Sequence, residues 1–233
     1  RYSTIPILSP GIHPRGSRVY GQFRTMRAVA LAVGLLAALA ATARAGDLDE
    51  AVLAEVNFAR AHPQDYARAL MLLPVSEWER SLGASTTAQD PGAYAEAIAF
   101  LMQQAPLPPL QPDEHLAEAA SEHLDAQGPS GQTGHNGADG ERFDHRLRRH
   151  GVRADYLGEN IAYGPSRASD VVRELIIDSG VLSRGHRRNL FHPVFGAAGV
   201  RCGPHRDYAA MCVMDFASPL ATAAPWRQAD ASR

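Results

Sequence analysis

VVRELIIDSGVLSRGHRRNLFHPVFGAAGV, residues 171–200, runs from a helical pattern through polar turns into a strand pattern. SDVVRELIID reads as an amphipathic helix with Ser169 as its cap. Asp178 in IIDSG and His186 in RGHRRN follow, each close to a glycine that permits a tight turn. The basic residues around the histidine, Arg184, Arg187 and Arg188, read as solvated surface charge. Asn189 reads as a turn residue satisfying backbone groups, and Phe195 as core.

Downstream, the runs AAGVRC and YAAMCVMDF flank GPHRD, which predicts a β-hairpin turning near Pro204 to Asp207. Cys202 and Cys212 are equidistant from that turn. Two readings are open for them: a cross-strand disulfide, or two small buried hydrophobes. A two-cysteine zinc site lacks the usual close ligand spacing.

Upstream, PDEHLAEAASEHLDAQG predicts a helix that begins near Pro112 and ends at Gly128. Leu116, Ala119, Ala120, His123 and Leu124 share one face, which places His123 in or beside the core with a hydrogen-bond partner. DGERFDHRLRRHG predicts a second helix, capped by Asp139 and terminated by Gly151. Phe143 and Leu147 face inward there, His145 faces solvent and His150 lies nearer the apolar stripe. Asp47 with Glu50 resembles a capping box for a helix running to Pro63. DYARALMLL and AYAEAIAFLMQQA are further helices, separated by a surface loop, PVSEWERSLGASTTAQDPG. APLPPLQP is a stiff, extended connector.

The chain has 233 residues, a formal net charge of -2 and a pI near 6.6. That balance argues against a general nucleic-acid binder, which would carry a basic face. All 23 basic residues are arginine, which excludes lysine Schiff-base and P-loop chemistry. MRAVALAVGLLAALAATARAGD, from Met26, has a basic start, an apolar run and the small-x-small sequence Ala43-Arg44-Ala45. That pattern predicts a cleaved signal peptide rather than a membrane anchor, since the run is short for a bilayer. Residues 1–25 then precede the true start, and a mature protein would begin near Gly46 in an oxidising compartment.

The standard motifs GxSxG, HExxH and GxGxxG are absent. Four polar positions remain, each at a helix or strand end in a glycine-rich context: His135 in TGHNG, Glu159 in GENIA, Asp178 in IIDSG and His186 in RGHRRN. Two imidazoles with an orienting carboxylate suit a weak, exchangeable zinc site, or general-base catalysis by a tuned histidine. They equally suit a buried hydrogen-bonded network without chemistry. Ser130, Ser179 and Ser183 are nearby in sequence, and serine is common in turns. Asn160 reads as satisfying turn backbone, and Tyr163 as core.

From LPPLQPDEHLAEAASEHLDAQ through GHNGADGERFDHRLRRHG, LGENIAYG, VVRELIIDSGVLSRGHRRNLFHPVFGAAGV and the last strand, the chain resembles a bacterial CAP domain. CAP denotes the superfamily of cysteine-rich secretory proteins, antigen 5 and pathogenesis-related 1. NFAR at 57–60 resembles the family's first helix. The resemblance implies an α+β fold, a three-layer α-β-α sandwich, with a central cleft where His135, Glu159 and His186 converge. Asp178 stands where relatives often carry a glutamate, one methylene shorter.

The expected organisation is an upstream segment (1–25), a signal peptide (26–45) and the domain's helical N-terminal part with a loop insertion (46–109). The CAP core (110–218) and a tail (219–233) follow. The expected function is secreted or periplasmic binding of a small apolar ligand (sterol or fatty acid) or a cell-envelope component, with zinc as a weakly held cofactor. Metal-assisted hydrolysis, or extracellular interaction with a structural tetrad, are the alternatives. No nucleic-acid partner and no lasting membrane anchor are expected.

Overall fold

The computed structural model describes residues 45–73, 90 and 92–219. The signal-peptide, upstream and tail expectations, and nearly all of the loop insertion, lie outside these residues. Among the described helices none is long and apolar enough to cross a membrane.

The described elements, in chain order, begin with α1 (Ala45–Ala61), α2 (Pro63–Met71) and α3 (Gly92–Gln103). Then come β1 (Gln111–Pro112), α4 (Glu114–Ser130), α5 (Phe143–Arg149), β2 (Leu157–Tyr163) and α6 (Ala168–Ile177). The chain closes with α7 (Gly185–Leu190), β3 (Ala197–His205) and β4 (Ala209–Ala217). The sheet order is β1-β3-β4-β2, parallel between β1 and β3 and antiparallel elsewhere.

Alternation along the strands sorts the core into two layers. Ile161, Tyr163, Met211 and Val213 face α4 with Ala120, whereas Ala162, Cys202, Cys212, Met214 and Phe216 join the cluster contributed by α1, α2, α3 and α6. The result is the α-β-α sandwich implied by the resemblance. Gly199 lets α4 lie against the sheet, because a Cβ there would sit 2.1 Å from the Ala117 nitrogen. In NFAR, the Asn57 amide exchanges hydrogen bonds with the Leu110 backbone, and buried Arg60 donates to the carbonyls of Pro108, Leu190, His192 and Phe195. Burial lowers the Arg60 pKa to about 10.

The cysteine hairpin forms as a disulfide. Cys202 and Cys212 are register partners with Cα atoms 4.0 Å apart and are bonded to each other. The Cys202 N–H turns away from β4 to Asp49 Oδ1 at 2.7 Å, as in a non-hydrogen-bonded pair, where side chains stand closest.

Several element ends differ from the sequence reading, each because a contact elsewhere decides it. Gly128 lies inside α4, where a Cβ would meet the Pro204 carbonyl at 2.6 Å; Gly131, at φ +74°, ends the helix instead. Asp139 caps a tight turn by accepting from the Glu141 N–H at 2.9 Å, and α5 starts later with Arg142 at its N-cap. Ser169 falls within α6, whose N-cap is Arg167 and whose first turn is braced by Asp170 with Arg173. Helix α1 begins at Ala45, before Asp47, so Asp47 occupies its first turn rather than its cap. The hairpin turn sits one or two residues later than expected, between His205 and Ala209. Gly151 does follow α5 with φ +87°, and His145 is exposed.

Candidate functional site

Glu159 sits on the edge strand β2, facing α4, with its side chain fully sealed from water. One carboxylate oxygen accepts the His135 Nδ1–H at 2.8 Å, and the other accepts Arg146 Nη2–H from α5. Arg146 is itself buried and turns its Nη1 to His123 Nδ1 at 3.0 Å. A guanidinium only donates, so His123 must accept at Nδ1 and carry its proton on Nε2. That Nε2–H reaches the Gly134 carbonyl at 2.9 Å. Burial, then the Arg146 charge, lower the His123 pKa and favour its neutral form.

Gly134, the residue before His135, is held by two further side chains that also bond each other. The Gly134 carbonyl accepts Gln127 Nε2–H at 2.8 Å, its N–H donates to the Tyr163 hydroxyl at 2.9 Å, and that hydroxyl donates to Gln127 Oε1 at 2.8 Å. Burial pushes the Tyr163 pKa up to about 12. Gly134 has φ +104°, a conformation that a side chain rarely tolerates. His135 is thereby placed with half of its side chain, 49%, exposed above the buried carboxylate.

A second carboxylate–imidazole pair forms where α6 gives way to α7. Asp178 ends α6 in a left-handed conformation, φ 55°. Its Oδ1 accepts His186 Nδ1–H at 2.7 Å, while Oδ2 accepts the backbone N–H of His186 at 2.9 Å and of Arg187 at 3.3 Å. The His186 side chain is 23% exposed and that of Asp178 1%. Asp178 therefore orients the imidazole and also satisfies the start of α7.

Among the described residues, hydrogen bonds between β2 and α7 join the two pairs. Asn160 donates its amide to the His186 carbonyl at 3.0 Å, and Asn189 donates to the Glu159 carbonyl at 3.2 Å and to Asn160 Oδ1 at 2.9 Å. Among the described residues no group of three or more His, Cys, Asp or Glu side chains could hold a metal ion. Ser130 bonds the Gln127 carbonyl, and no described serine is hydrogen-bonded to either imidazole.

The arginines beside His186 are not solvated surface charge as a set. Arg187 is buried, donating to the carbonyls of Ile176, Ile177 and Ala93 and to Glu96. Arg184 pairs with Asp90 and Glu96, and only Arg188 is exposed. The reason is architectural: α6 ends here, and its last carbonyls need donors. Tyr163 and Phe195 are buried as expected, and His150 pairs with Glu122 at 2.6 Å. The sequence reading did not single out Arg146, Gln127 or Asp215, the acid opposite Glu159. An inward-facing acid in the alternation of MCVMDF was the one signal available for Asp215.

With this geometry in view, the family comparison is direct: residues 53–216 match the pattern of the cysteine-rich secretory protein family, CAP. The chain belongs to the CAP family. Solved structures to which the chain is similar include three bacterial proteins. An extracellular SCP-domain protein of Bacillus anthracis is 23% identical over 56% of this chain and 41% of its own, with TM-score 0.42. An outer surface protein of Borrelia burgdorferi is 19% identical over 48% of this chain and 80% of its own, with TM-score 0.42. A cysteine-rich secretory protein of Staphylococcus aureus is 16% identical over 57% of this chain and 41% of its own, with TM-score 0.36. This CAP chain thus spans about two fifths of the Bacillus and Staphylococcus proteins. A comparison with curated proteins finds no match.

Proposed function

We propose that this CAP domain is a secreted binding module for a cell-envelope component, recognised through the outward nitrogens of His135 and His186. One observation carries the reading. Each imidazole has its Nδ1–H tied to a buried carboxylate, which leaves Nε2 as the acceptor of the neutral ring, and both side chains are partly exposed. Two fixed acceptors beside an edge strand suit a ligand with hydrogen-bond donors, such as the amides and hydroxyls of wall peptide or glycan.

The cavities favour that ligand over an enclosed sterol or fatty acid. A 470 Å³ cleft beside Arg146 is lined by Glu122, His123, Asp139, Glu141 and Arg149 among others, and the space bounded by Asp178 and His186 is only 30 Å³. Small apolar ligands are held in enclosed, mostly apolar pockets, whereas this cleft is lined by charged side chains. A more apolar groove, 360 Å³ between Leu124, Pro129 and Pro204, lies at the hairpin end.

Binding of the purified chain to isolated cell-wall sacculi and to lipid vesicles tests this reading. The expected result is saturable binding to sacculi, weakened about tenfold or more by either His135→Ala or His186→Ala. Binding to vesicles alone, or sacculus binding untouched by both substitutions, overturns it. Zinc uptake and peptide hydrolysis that both substitutions abolish would instead support the metal-assisted hydrolase reading.

A further inference from the structure

Glu159 and Asp215 are direct cross-strand partners in β2 and β4, and neither carboxyl group has any exposure to water. Opposed side chains in an antiparallel pair stand about 4.5–5.5 Å apart at Cβ. Two carboxylates that close in an apolar interior do not both stay ionised. One cation is in reach: Arg146 donates to Glu159 but lies 3.9 Å from Asp215, beyond hydrogen-bond range. Neither Asp215 oxygen meets a hydrogen-bond donor.

Among the described residues no other surrounding element supplies a compensating charge. From α4 comes His123, already committed to Arg146 and Gly134. From β3 comes Gly199, the Cα partner of Asp215, and from the loop before α5 comes His135, whose proton points to Glu159. Of the two acids, Glu159 holds both available donors and so keeps the negative charge.

We propose that Asp215 is an uncharged carboxylic acid whose proton is donated to Glu159, making it a positioning residue for the carboxylate that orients His135. The proton stays on an Asp215 oxygen and the charge on Glu159, so the Arg146, Glu159 and Asp215 group sums to zero. Burial, followed by the neighbouring Glu159 charge, supports this by raising the Asp215 pKa well above the usual carboxylate range, against the pull of Arg146. The functional weight of the inference rests on His135 being a ligand-facing imidazole. Its test reads the proton itself, so a failure to find an envelope ligand leaves it standing.

The direct measurement is the ¹³C carboxyl resonance of Asp215 in the full chain, followed from pH 4 to 8. The expected result is a protonated shift still present at pH 7; an ionised shift at pH 5 overturns the proposal. A second readout uses Asp215→Asn, which keeps a donor without a charge. A raised folded pKa means that stability falls as pH rises above the unfolded value, about 4. The asparagine variant is therefore expected to match the parent near pH 4 and to exceed its Tm increasingly toward pH 8. Its His135 Nδ1–H signal, seen in ¹H–¹⁵N spectra, should persist, whereas Asp215→Leu, which has no donor, should mix the two tautomers. A Tm deficit for Asp215→Asn at pH 8 that closes toward pH 4 would show an ionised Asp215 paired with Arg146. An unmixed His135 tautomer in Asp215→Leu would refute the positioning role.

Discussion

Arg146 and Glu159 form an ion pair from which water is excluded, the guanidinium 2% exposed and the carboxylate not at all. Removing the cation alone leaves a buried charge without its partner, the costliest way to break such a pair. Arg146→Met should therefore destabilise the domain by about 3–5 kcal/mol. Urea unfolding at pH 7 measures this, and Arg146→Met with Glu159→Gln should recover a substantial part of the loss.

Tyr163 supports His135 through Gly134, accepting its N–H and donating onward to Gln127. Tyr163→Phe keeps the ring in the core but leaves a buried N–H unpaired. The expected loss is about 1–3 kcal/mol. Sacculus binding should fall more than the stability loss explains, because the imidazole is no longer fixed. Equal binding per folded molecule would contradict that role.

The acid limb of the stability profile should depend on Arg149. Hydrogen bonds from Arg149, opposed by burial and helped by His150, lower the Glu122 pKa to about 2. A depressed acid contributes stability above its unfolded pKa and loses it as pH falls through the folded one. Melting between pH 5 and 2 should therefore show a Tm fall that Arg149→Ala makes shallower. This slope opposes the one expected from Asp215, so the two separate by pH range.

Reducing the Cys202–Cys212 bond reopens a short loop whose closure is worth about 2–4 kcal/mol. Thermal unfolding with and without reductant should differ accordingly. Equal Tm values would show that the hairpin and the core around it hold the register unaided.

Much of this was legible in sequence because it is local. The helical patterns, the cysteine hairpin and the four polar residues beside glycines each announce themselves within a few positions. What stayed hidden depends on partners brought together by the sheet. Asp215 looks like one polar residue in a strand until register sets it opposite Glu159. Arg146 looks like surface charge among other arginines until α5 points it inward. Gly128 looks like a helix stop, yet its lack of a side chain serves the approach of Pro204. Which carboxylate serves which imidazole was also hidden: Glu159 holds His135 and Asp178 holds the neighbouring His186.

The central claim is that two carboxylate-held imidazoles offer open Nε2 atoms to an envelope ligand. Long-range ¹H–¹⁵N histidine spectra of the full chain at pH 8, with and without soluble wall fragments, test it most directly. The account predicts Nδ1-protonated His135 and His186, with both Nε2 resonances moving as fragments bind. Nε2-protonated rings, or binding that leaves both nitrogens unmoved, would contradict it.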